Sequence, residues 1–417
     1  MGKRSDCAQN SAESVTKRQA LSQRVPLPCR AMVKNVVPLV LMIGLCVAAY
    51  ASCVRSAVAS GYAEEVIEIE RVIATLTEQT LTPDEFPHCR LRLAHSLFRR
   101  ASLTGEFIHF YLAERAIEAA RHAGEPKVDC EFLKASFDLK LHRVVAAADT
   151  MEQLAYLSEV PEIAALQADI LLQQGRVEEA AAIYNRLLTD DCTWDISARV
   201  AWLSSRQGDP ASADRLYAAA QDRLTAKEMR TWAWLELQRG VLNLEGERPS
   251  EALTRFENAH RVYPGYWLIE EHIAEALLKL GRTEEAIEIY QTLIDRCRHP
   301  EHIGALAMIE QRNGSPAATK HFVDARALFV KQRLMYPEAA VGHFLEYLIE
   351  LPGEPDSELG ELADENLRLR PNPDAMLLKA RACVRFGETA AASDLVSAAR
   401  NRGWRGGHVD AVAESLR

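Results

Sequence analysis

The residue types best suited to chemistry occur at His299-x-x-His302, where two imidazoles could share one metal ion. Zinc-binding helices of hydrolases carry a His-Glu-x-x-His pattern, in which one helical turn aligns the two rings, and the chain contains no such pattern. Pro300 is expected to interrupt any helix that joins the two histidines, because proline lacks the N–H that a helix interior needs. The sequence therefore predicts no metal ligand here.

Two other patterns combine residues that could act on a substrate or a phosphate. Glu270-Glu271-His272 joins two carboxylates to an imidazole, but it lies in a helical run, which is typical of a solvated helix face. Residues 402–408 read RGWRGGH, which is typical of a flexible turn. The sequence has no Gly-x-Ser-x-Gly elbow, Walker loop or dinucleotide-binding motif. We therefore expect no catalytic residue, no cofactor and no enzymatic activity.

The elements that carry these residues are expected to be helices. Apolar residues make up 48% of the 417 residues, so a large core can be buried, but aromatic residues make up only 7%. Alanine and leucine dominate the apolar set. This composition favours close packing of helices over a β-sandwich, which is richer in β-branched and aromatic residues.

The charge of the chain is divided unevenly. Residues 1–35 hold seven of the 49 basic side chains and two of the 59 acidic ones, so this leader carries +5 and the remainder −15. An acidic body repels a phosphate backbone, and the sequence therefore excludes nucleic acid as a partner. A basic leader ahead of an apolar run is typical of membrane targeting.

A membrane segment is predicted at residues 36–54, which form an apolar run of 19 residues without a charge. A helix needs about 20 such residues to cross a bilayer. The basic leader predicts a cytoplasmic amino terminus, hence a single-pass inner-membrane protein with its bulk in the periplasm. A cleaved signal peptide, with small-x-small sites at 49–51 and 57–59, and a start at Met32 remain open. Both alternatives also export the body.

Five cysteines follow the apolar run, and they are widely spaced: Cys89, Cys130, Cys192, Cys297 and Cys383. An odd number at irregular spacing is a poor disulfide framework, and buried thiols that act as small apolar groups are favoured. A single disulfide between Cys89 and Cys130 remains open.

An internal repeat is the strongest signal in the sequence. Segments that begin at Gly175, Gly208 and Gly281 each place an alanine five residues after the glycine and a tyrosine four residues later. With a fourth unit the repeat alanines are spaced by 33, 39 and 34 residues, and they are Ala180, Ala213, Ala252 and Ala286. A small side chain at the same position of each repeat allows two helices to approach closely. The aromatic residue then fills the space between hairpins.

This pattern resembles the tetratricopeptide repeat, whose unit of about 34 residues pairs two antiparallel helices. The resemblance implies an all-α fold, an α-solenoid of stacked antiparallel helical hairpins, preceded by one transmembrane helix. The predicted organisation is a basic cytoplasmic leader at 1–35, a transmembrane or signal-anchor helix at 36–54, a linker helix at 55–83, degenerate hairpins at 84–160, clear repeats at 161–298, and degenerate repeats with a carboxy-terminal cap at 299–417.

The resemblance also implies a concave groove that binds a protein or peptide. Carried over from the groove positions of the family, the predicted partner-binding residues are Asp169, Trp202, Arg206, Trp234, Leu237, Val241, Glu271, Glu275 and Lys279. Trp202 and Trp234 are expected to form an apolar anchor, unless both pack between hairpins. The acidic members of the set predict a basic or amphipathic partner segment.

The predicted function is a membrane-anchored scaffold for protein–protein interaction, in bacterial envelope assembly or polysaccharide export. The alternative, from a second functional class, is a chaperone-like or regulatory protein that binds periplasmic clients. One defined partner would distinguish the scaffold from the chaperone, which would bind many unfolded chains weakly.

Overall fold

The computed structural model describes residues 61–86, 88–225, 228–351, 353 and 357–416. These residues form 20 α-helices, one 3₁₀ turn and no strand, which confirms the predicted all-α class. The helices are α1 Tyr62–Gln79, α2 Cys89–Thr104, α3 Phe107–His122, α4 Lys127–Lys140, α5 Val144–Glu152, α6 Pro161–Gln173, α7 Val177–Leu187, α8 Trp194–Arg206, α9 Pro210–Asp222, α10 Met229–Glu245, α11 Pro249–Val262, α12 Trp267–Lys279, α13 Thr283–Arg296, α14 Pro300–Arg312, α15 Ala318–Met335, α16 Pro337–Glu350, α17 Ser357–Leu369, α18 Pro373–Arg385, α19 Thr389–Asn401 and α20 Gly407–Glu414.

Consecutive helices pair as hairpins, from α2 with α3 to α18 with α19, and each helix packs mainly on the next one or two along the chain. One hairpin cannot bury its own apolar stripe, so the stacking of neighbours supplies most of the core. Helix α1 packs on α2 at one end, and α20 packs on α18 and α19 at the other. The described residues therefore form a solenoid of helical hairpins, as predicted.

Small side chains occupy the closest contacts within the hairpins. The four repeat alanines have no exposed surface: Ala180, Ala213, Ala252 and Ala286. At Gly240 in α10 an added Cβ would lie 2.3 Å from Cε1 of Phe256 in α11, which no real carbon pair tolerates. The aromatic residues of the repeat are also buried, at Tyr184, Tyr217, Phe256 and Tyr290. The small and aromatic positions of the predicted repeat are thus the positions that are buried where the helices pack.

The solenoid coils back on itself, so residues far apart in sequence hydrogen-bond to each other. The separations are between 164 and 222 residues. These bonds join Tyr263 Oη to Glu65 Oε2 at 2.6 Å, Trp267 Nε1 to the Leu103 carbonyl at 3.0 Å, Tyr336 Oη to Glu114 Oε2 at 2.9 Å, and Asn372 Nδ2 to Gln173 Oε1 at 3.0 Å. We call them the inter-turn contacts, because each joins one turn of the coil to the next.

Two repeat glycines combine a turn with an inter-turn contact. Gly175 and Gly208 follow α6 and α8 with φ of 75° and 86°, the left-handed conformation that ends helices and favours glycine. A Cβ on Gly175 would lie 2.3 Å from the Pro371 carbonyl oxygen, and one on Gly208 would lie 2.7 Å from Cβ of Arg405. The absence of a side chain therefore lets the next turn reach the backbone at both positions.

The carboxy-terminal residues close the coil. Trp404 is 1% exposed, its ring centroid lies 6.0 Å from that of Trp202, and its Nε1 donates to Oδ1 of Asp374 at 2.9 Å. Val409 and Val412 of α20 join the same core cluster. Helix α20 thus covers apolar surface that the last hairpin would otherwise expose.

The predicted leader at 1–35 and the predicted membrane segment at 36–54 lie outside the described residues. None of the helices built from the described residues combines the length and the apolar character that a bilayer crossing requires. Cys89 and Cys130 are separate, buried thiols, so the disulfide that the sequence left open does not form.

Candidate binding cavity

The inner side of the coil encloses a cavity of about 980 Å³. It is lined by the first helices of several hairpins, α2, α4, α6, α8, α12, α16 and α18, and by α20. The lining therefore draws on residues from both ends of the solenoid, which the inter-turn contacts bring together. This partly open cavity lies on the side of the coil where the sequence predicted a groove.

Asp169 lines this cavity, as predicted for a groove residue, but its carboxylate is already bonded. Nε of Arg199 lies 3.1 Å from both carboxylate oxygens, and the Tyr184 hydroxyl also donates to Oδ1. Burial raises the pKa of Asp169 to about 6, although Arg199 and the Tyr184 hydroxyl act to lower it. Asp169 thus contributes shape and polarity, and its negative charge is offset within the protein.

Trp202 and Arg206 also line the cavity. Trp202 is 9% exposed and packs edge-on against Trp404. The guanidinium carbon of Arg206 lies 5.6 Å from the Trp202 ring centroid, and NH1 of Arg206 bonds to Oε1 of Glu245 at 3.0 Å. These two predicted residues therefore form one stacked pair at the cavity wall.

The structure does not place the predicted apolar anchor at the cavity. Trp234 and Leu237 are 3% and 1% exposed, and the Trp234 ring centroid lies 6.3 Å from that of Trp194 and 6.4 Å from that of Tyr217. Trp234 packs between hairpins because burial there removes its large apolar surface from water. Val241, in the same helix, is half-buried and is outside the cavity lining. For Trp234 the structure thus follows the alternative of packing between hairpins, Leu237 is buried with it, and contact of Val241 with a partner stays a prediction.

Three further predicted residues, in α12, are also outside the cavity lining. Oε1 of Glu271 lies 3.6 Å from Nε2 of His302, and Oε2 of Glu275 lies 3.6 Å from Nδ1 of His272. Lys279 is exposed. The expectation of a basic partner depended on acidic residues that include Glu271 and Glu275. Their carboxylates lie close to histidines of the protein itself.

The sequence analysis missed a basic cluster in the cavity, formed by Lys140, His142 and Arg370. Burial lowers the pKa of Lys140 to about 8. Burial also holds the pKa of His142 well below its usual range, and the nearby charges of Arg370, His343 and Lys140 lower it further. Nδ1 of His142 and Nε of Arg370 have no hydrogen-bond partner within the described part of the chain. This cluster places the charges of Lys140 and Arg370 beside the imidazole of His142 in the cavity lining.

No sequence pattern marks the basic cluster, because its members come from hairpins 200 or more residues apart on successive turns. Lys140 and His142 follow one another at the end of α4, where His142 has a left-handed backbone with φ of 58°. Arg370 follows α17. Only the coiling of the solenoid brings these side chains to one wall.

Cationic residues outnumber anionic ones in the cavity lining by six to four, while Arg199 and Arg206 also bond to Asp195 and Glu245 just outside it. The cationic residues are Lys140, Arg199, Arg206, Arg370, Arg381 and Arg385, and the anionic residues are Asp169, Glu346, Glu350 and Asp374. This excess contrasts with the acidic character of the solenoid as a whole. A cavity lined by cations and with water partly excluded attracts anionic groups.

Comparison with protein families matches two segments of the chain, residues 132–193 and residues 243–309, to models described as tetratricopeptide repeat. The chain contains tetratricopeptide repeats. The first matched segment includes most of α4, a tetratricopeptide-repeat helix that carries part of the basic cluster. No curated protein sequence gives a match.

Several solved structures are similar to this chain. The human IFIT1 dimer with PPP-AAAA is 14% identical over 81% of this chain and 78% of that one, with a TM-score of 0.46. A Rap protein complexed with competence and sporulation factor is 13% identical over 85% and 99%, with a TM-score of 0.46. Yeast Tom70 is 14% identical over 85% and 87%, with a TM-score of 0.36.

Proposed function

We propose that this tetratricopeptide-repeat chain is a membrane-anchored scaffold that binds a partner protein by an extended, acidic peptide segment held in the central cavity. The basic cluster of Lys140, His142 and Arg370 is the observation that carries the proposal. We also propose that the cavity binds rather than transforms its ligand, because its polar groups are arranged as charges and not as a nucleophile beside a base.

The size of the cavity supports a peptide segment as the ligand. Ligand pockets in proteins are about 300–1,000 Å³, and the cavity, at about 980 Å³, lies at the upper end of that range. A folded domain is much larger than this space, whereas a few extended residues fit it. Apolar side chains such as Phe98, Leu172 and Trp202 line the same wall and supply contact for the uncharged part of such a segment.

The charges of the cavity support an acidic segment in place of the basic one that the sequence suggested. Asp169 is bonded to Arg199, and Glu271 and Glu275 lie outside the lining. Among the described residues of the lining, Nε of Arg370 and Nδ1 of His142 are a donor and an imidazole nitrogen without a hydrogen-bond partner. A carboxylate of the partner would satisfy Nε of Arg370, and a hydrogen bond to a charged group contributes about 1.5–3 kcal/mol.

The peptide proposal is tested with Arg370→Gln and a set of labelled peptides that are matched in length and differ in charge. Acidic peptides are expected to bind the wild-type chain, and Arg370→Gln to weaken that binding about tenfold to a hundredfold. Fluorescence anisotropy at two salt concentrations measures both the loss and its electrostatic origin, because added salt weakens exposed charge attraction.

Arg333→Gln is the matched control, since Arg333 is also a half-buried arginine but bonds to Glu365 away from the cavity lining. It should bind peptide as the wild type does. A preference for basic peptides, or equal losses in the two variants, would contradict an acidic ligand in the cavity. Weak binding of many unfolded chains, regardless of charge, would favour the chaperone-like alternative.

We further propose that residues 36–54 anchor the protein in the inner membrane, with the solenoid in the periplasm, where it serves envelope assembly or polysaccharide export. The basic leader and the uncharged apolar run support this topology. The test is a reporter enzyme that is active only outside the cytoplasm, fused after residue 417. We expect this fusion to be active. Activity inside the cytoplasm would reverse the orientation.

A further inference from the structure

A second site lies away from the cavity lining, where the chain passes from α13 to α14. One ligand atom from each of Cys297, His299 and His302 lies within 4.8 Å of the other two. His299 and His302 are 9% and 0% exposed, and Cys297 is half-buried. Thiolate and imidazole groups are the ligands that zinc and similar divalent metals take in proteins.

The local fold explains how these three residues meet. Cys297 ends α13, and Pro300 is the first residue of α14, where a missing N–H has no cost. His299 therefore stands just before the helix and His302 in its first turn, with ring centroids 5.1 Å apart. The sequence analysis expected Pro300 to separate the two histidines, and in the structure it instead starts the helix that brings them together.

The hydrogen bond of His299 leaves one ring nitrogen for a metal. Nε2 of His299 lies 3.0 Å from the Thr104 carbonyl oxygen in the neighbouring turn. A carbonyl can only accept, so Nε2 carries the hydrogen and Nδ1 keeps its lone pair. Metal-binding histidines usually donate their second N–H to a carbonyl or a carboxylate in this way, which fixes the ring and its tautomer.

The buried ring of His302 lies beside Cys297 and Glu271, but within the described structure neither ring nitrogen makes a hydrogen bond of ordinary length and angle. Leaving a buried polar group unsatisfied costs about 1–3 kcal/mol, and such a group calls for an explanation. Oε1 of Glu271 lies 3.6 Å from Nε2 of His302 and can approach to accept from it. Nδ1 of His302 then remains for the metal, on the same pattern as His299.

We propose that Cys297, His299 and His302 bind one divalent cation of the zinc class, through the thiolate and the two Nδ1 atoms, with water as the fourth ligand. Glu271 holds His302 from outside the coordination sphere. Zinc bonds of about 2.3 Å to sulfur and about 2.0 Å to nitrogen place tetrahedral ligand atoms about 3.3–3.6 Å apart. One ligand atom from each residue already lies within 4.8 Å of the other two, so rotations of the side chains by about 1–1.5 Å reach that spacing.

The cation would tie two turns of the solenoid together. His299 already bonds to the Thr104 carbonyl, and the neighbouring Trp267 donates Nε1 to the Leu103 carbonyl at 3.0 Å. Both rings thereby bond to carbonyl groups of the last residues of α2. These carbonyl groups would otherwise lack a partner, because no further helical turn follows to donate an N–H to them. A metal that fixes the ring of His299 also fixes this inter-turn contact.

The site is tested by titrating the metal-depleted, full-length protein with Co²⁺ and then with Zn²⁺. The wild type is expected to bind one Co²⁺ per chain, with tetrahedral visible bands and a thiolate charge-transfer band, and Zn²⁺ should displace it. Cys297→Ser should lose the charge-transfer band, and Glu271→Gln should weaken binding about tenfold to a hundredfold. Zn²⁺ should raise the melting temperature of the wild type, because it binds only the folded chain.

Cys192→Ser is the control, since Cys192 is also a half-buried free thiol but lies in another hairpin. It should retain both the stoichiometry and the band. His302→Gln, checked for helix content by circular dichroism, separates loss of a ligand from loss of the fold. The proposal is overturned if the wild type binds no Co²⁺, or if the charge-transfer band survives in Cys297→Ser.

Discussion

Glu65 joins two turns of the solenoid through a single buried carboxylate. It lies in α1, accepts from the Tyr263 hydroxyl at 2.6 Å, lies 3.4 Å from Nε of Arg230 and bonds to Arg99. Burial alone would raise the pKa of Glu65, but Arg230, Arg99 and the Tyr263 hydroxyl together lower it to about 2. The folded chain therefore favours the ionised form more than the unfolded chain does.

A pH dependence of stability follows from that depressed pKa. The contribution of Glu65 is present above its usual pKa and is lost as the pH falls from about 5 to about 2, and it amounts to about 2–3 kcal/mol. Glu65→Gln is expected to unfold more easily than the wild type at pH 7 and to lose less stability on acidification. Urea unfolding at a series of pH values measures both effects.

Glu68→Gln is the control for this prediction, because Glu68 lies in the same helix and pairs with the exposed Arg71 of that helix. Its stability should follow pH as the wild type does. If the free energy of unfolding depends on pH in the same way for the wild type and Glu65→Gln, the prediction is contradicted. That result would mean that the pKa of Glu65 is the same in the folded and unfolded chains.

The predicted groove residues show which side-chain positions a sequence can anticipate. Asp169, Trp202 and Arg206 line the cavity because they lie on first helices of regular hairpins. Trp234 does not, although the same rule selected it. Its helix, α10, begins at Met229, ahead of the repeat register that the sequence suggested, and its ring packs on Trp194 and Tyr217. The repeat pattern contains no information about such a local packing choice.

At the scale of the helix, Gly240 tests whether the small residues of the repeat set the helix spacing. Gly240→Ala places Cβ 2.3 Å from the Phe256 ring, and overpacking of this kind costs about 1–3 kcal/mol. We expect the urea midpoint of Gly240→Ala to fall below that of the wild type, because α10 and α11 must separate to admit the methyl group.

Gly360→Ala provides the comparison within α17, where the nearest side-chain atoms to an added Cβ are 3.7 Å away. Here alanine is the better helix former, by up to about 1 kcal/mol, and the midpoint should stay or rise. Changes of the same sign in the two variants would indicate that helix propensity, and not the approach of two helices, decides the result.

The helices and their phase could be predicted from the sequence because each repeat signals its own packing locally. Ala180, Ala213 and Ala252 recur at spacings of 33 and 39 residues and are fully buried. The bond between Gln173 and Asn372 has no such signal, since it depends on the accumulated rotation of every hairpin between them. The same limit applies to the basic cluster, which exists only because the coil closes.

At the scale of the solenoid, Gly175 tests the inter-turn contacts. Gly175→Ala puts a methyl group 2.3 Å from the Pro371 carbonyl oxygen, in addition to the strain of alanine at a φ of 75°. The strain costs about 1–2 kcal/mol, and the clash must be relieved by moving the next turn away. We expect a lower melting temperature and a larger radius of gyration by small-angle X-ray scattering.

Gly387→Ala is the matched variant, with a φ of 73° and open space around the added Cβ. It should lower the melting temperature through backbone strain alone and leave the radius of gyration unchanged. Equal radii for the two variants would mean that the methyl group at residue 175 is accommodated without separating the turns, which would contradict this prediction.

Closure of the coil has a consequence for how the protein is made. Gln173 leaves the ribosome 199 residues before its partner Asn372, an interval of about 10–40 s at a synthesis rate of about 5–20 residues per second. During that time the early hairpins can fold, but the flank that Asn372, Pro371 and Arg405 will cover faces solvent. Chains that stop before residue 372 therefore leave that flank uncovered and are expected to aggregate more readily than the complete solenoid.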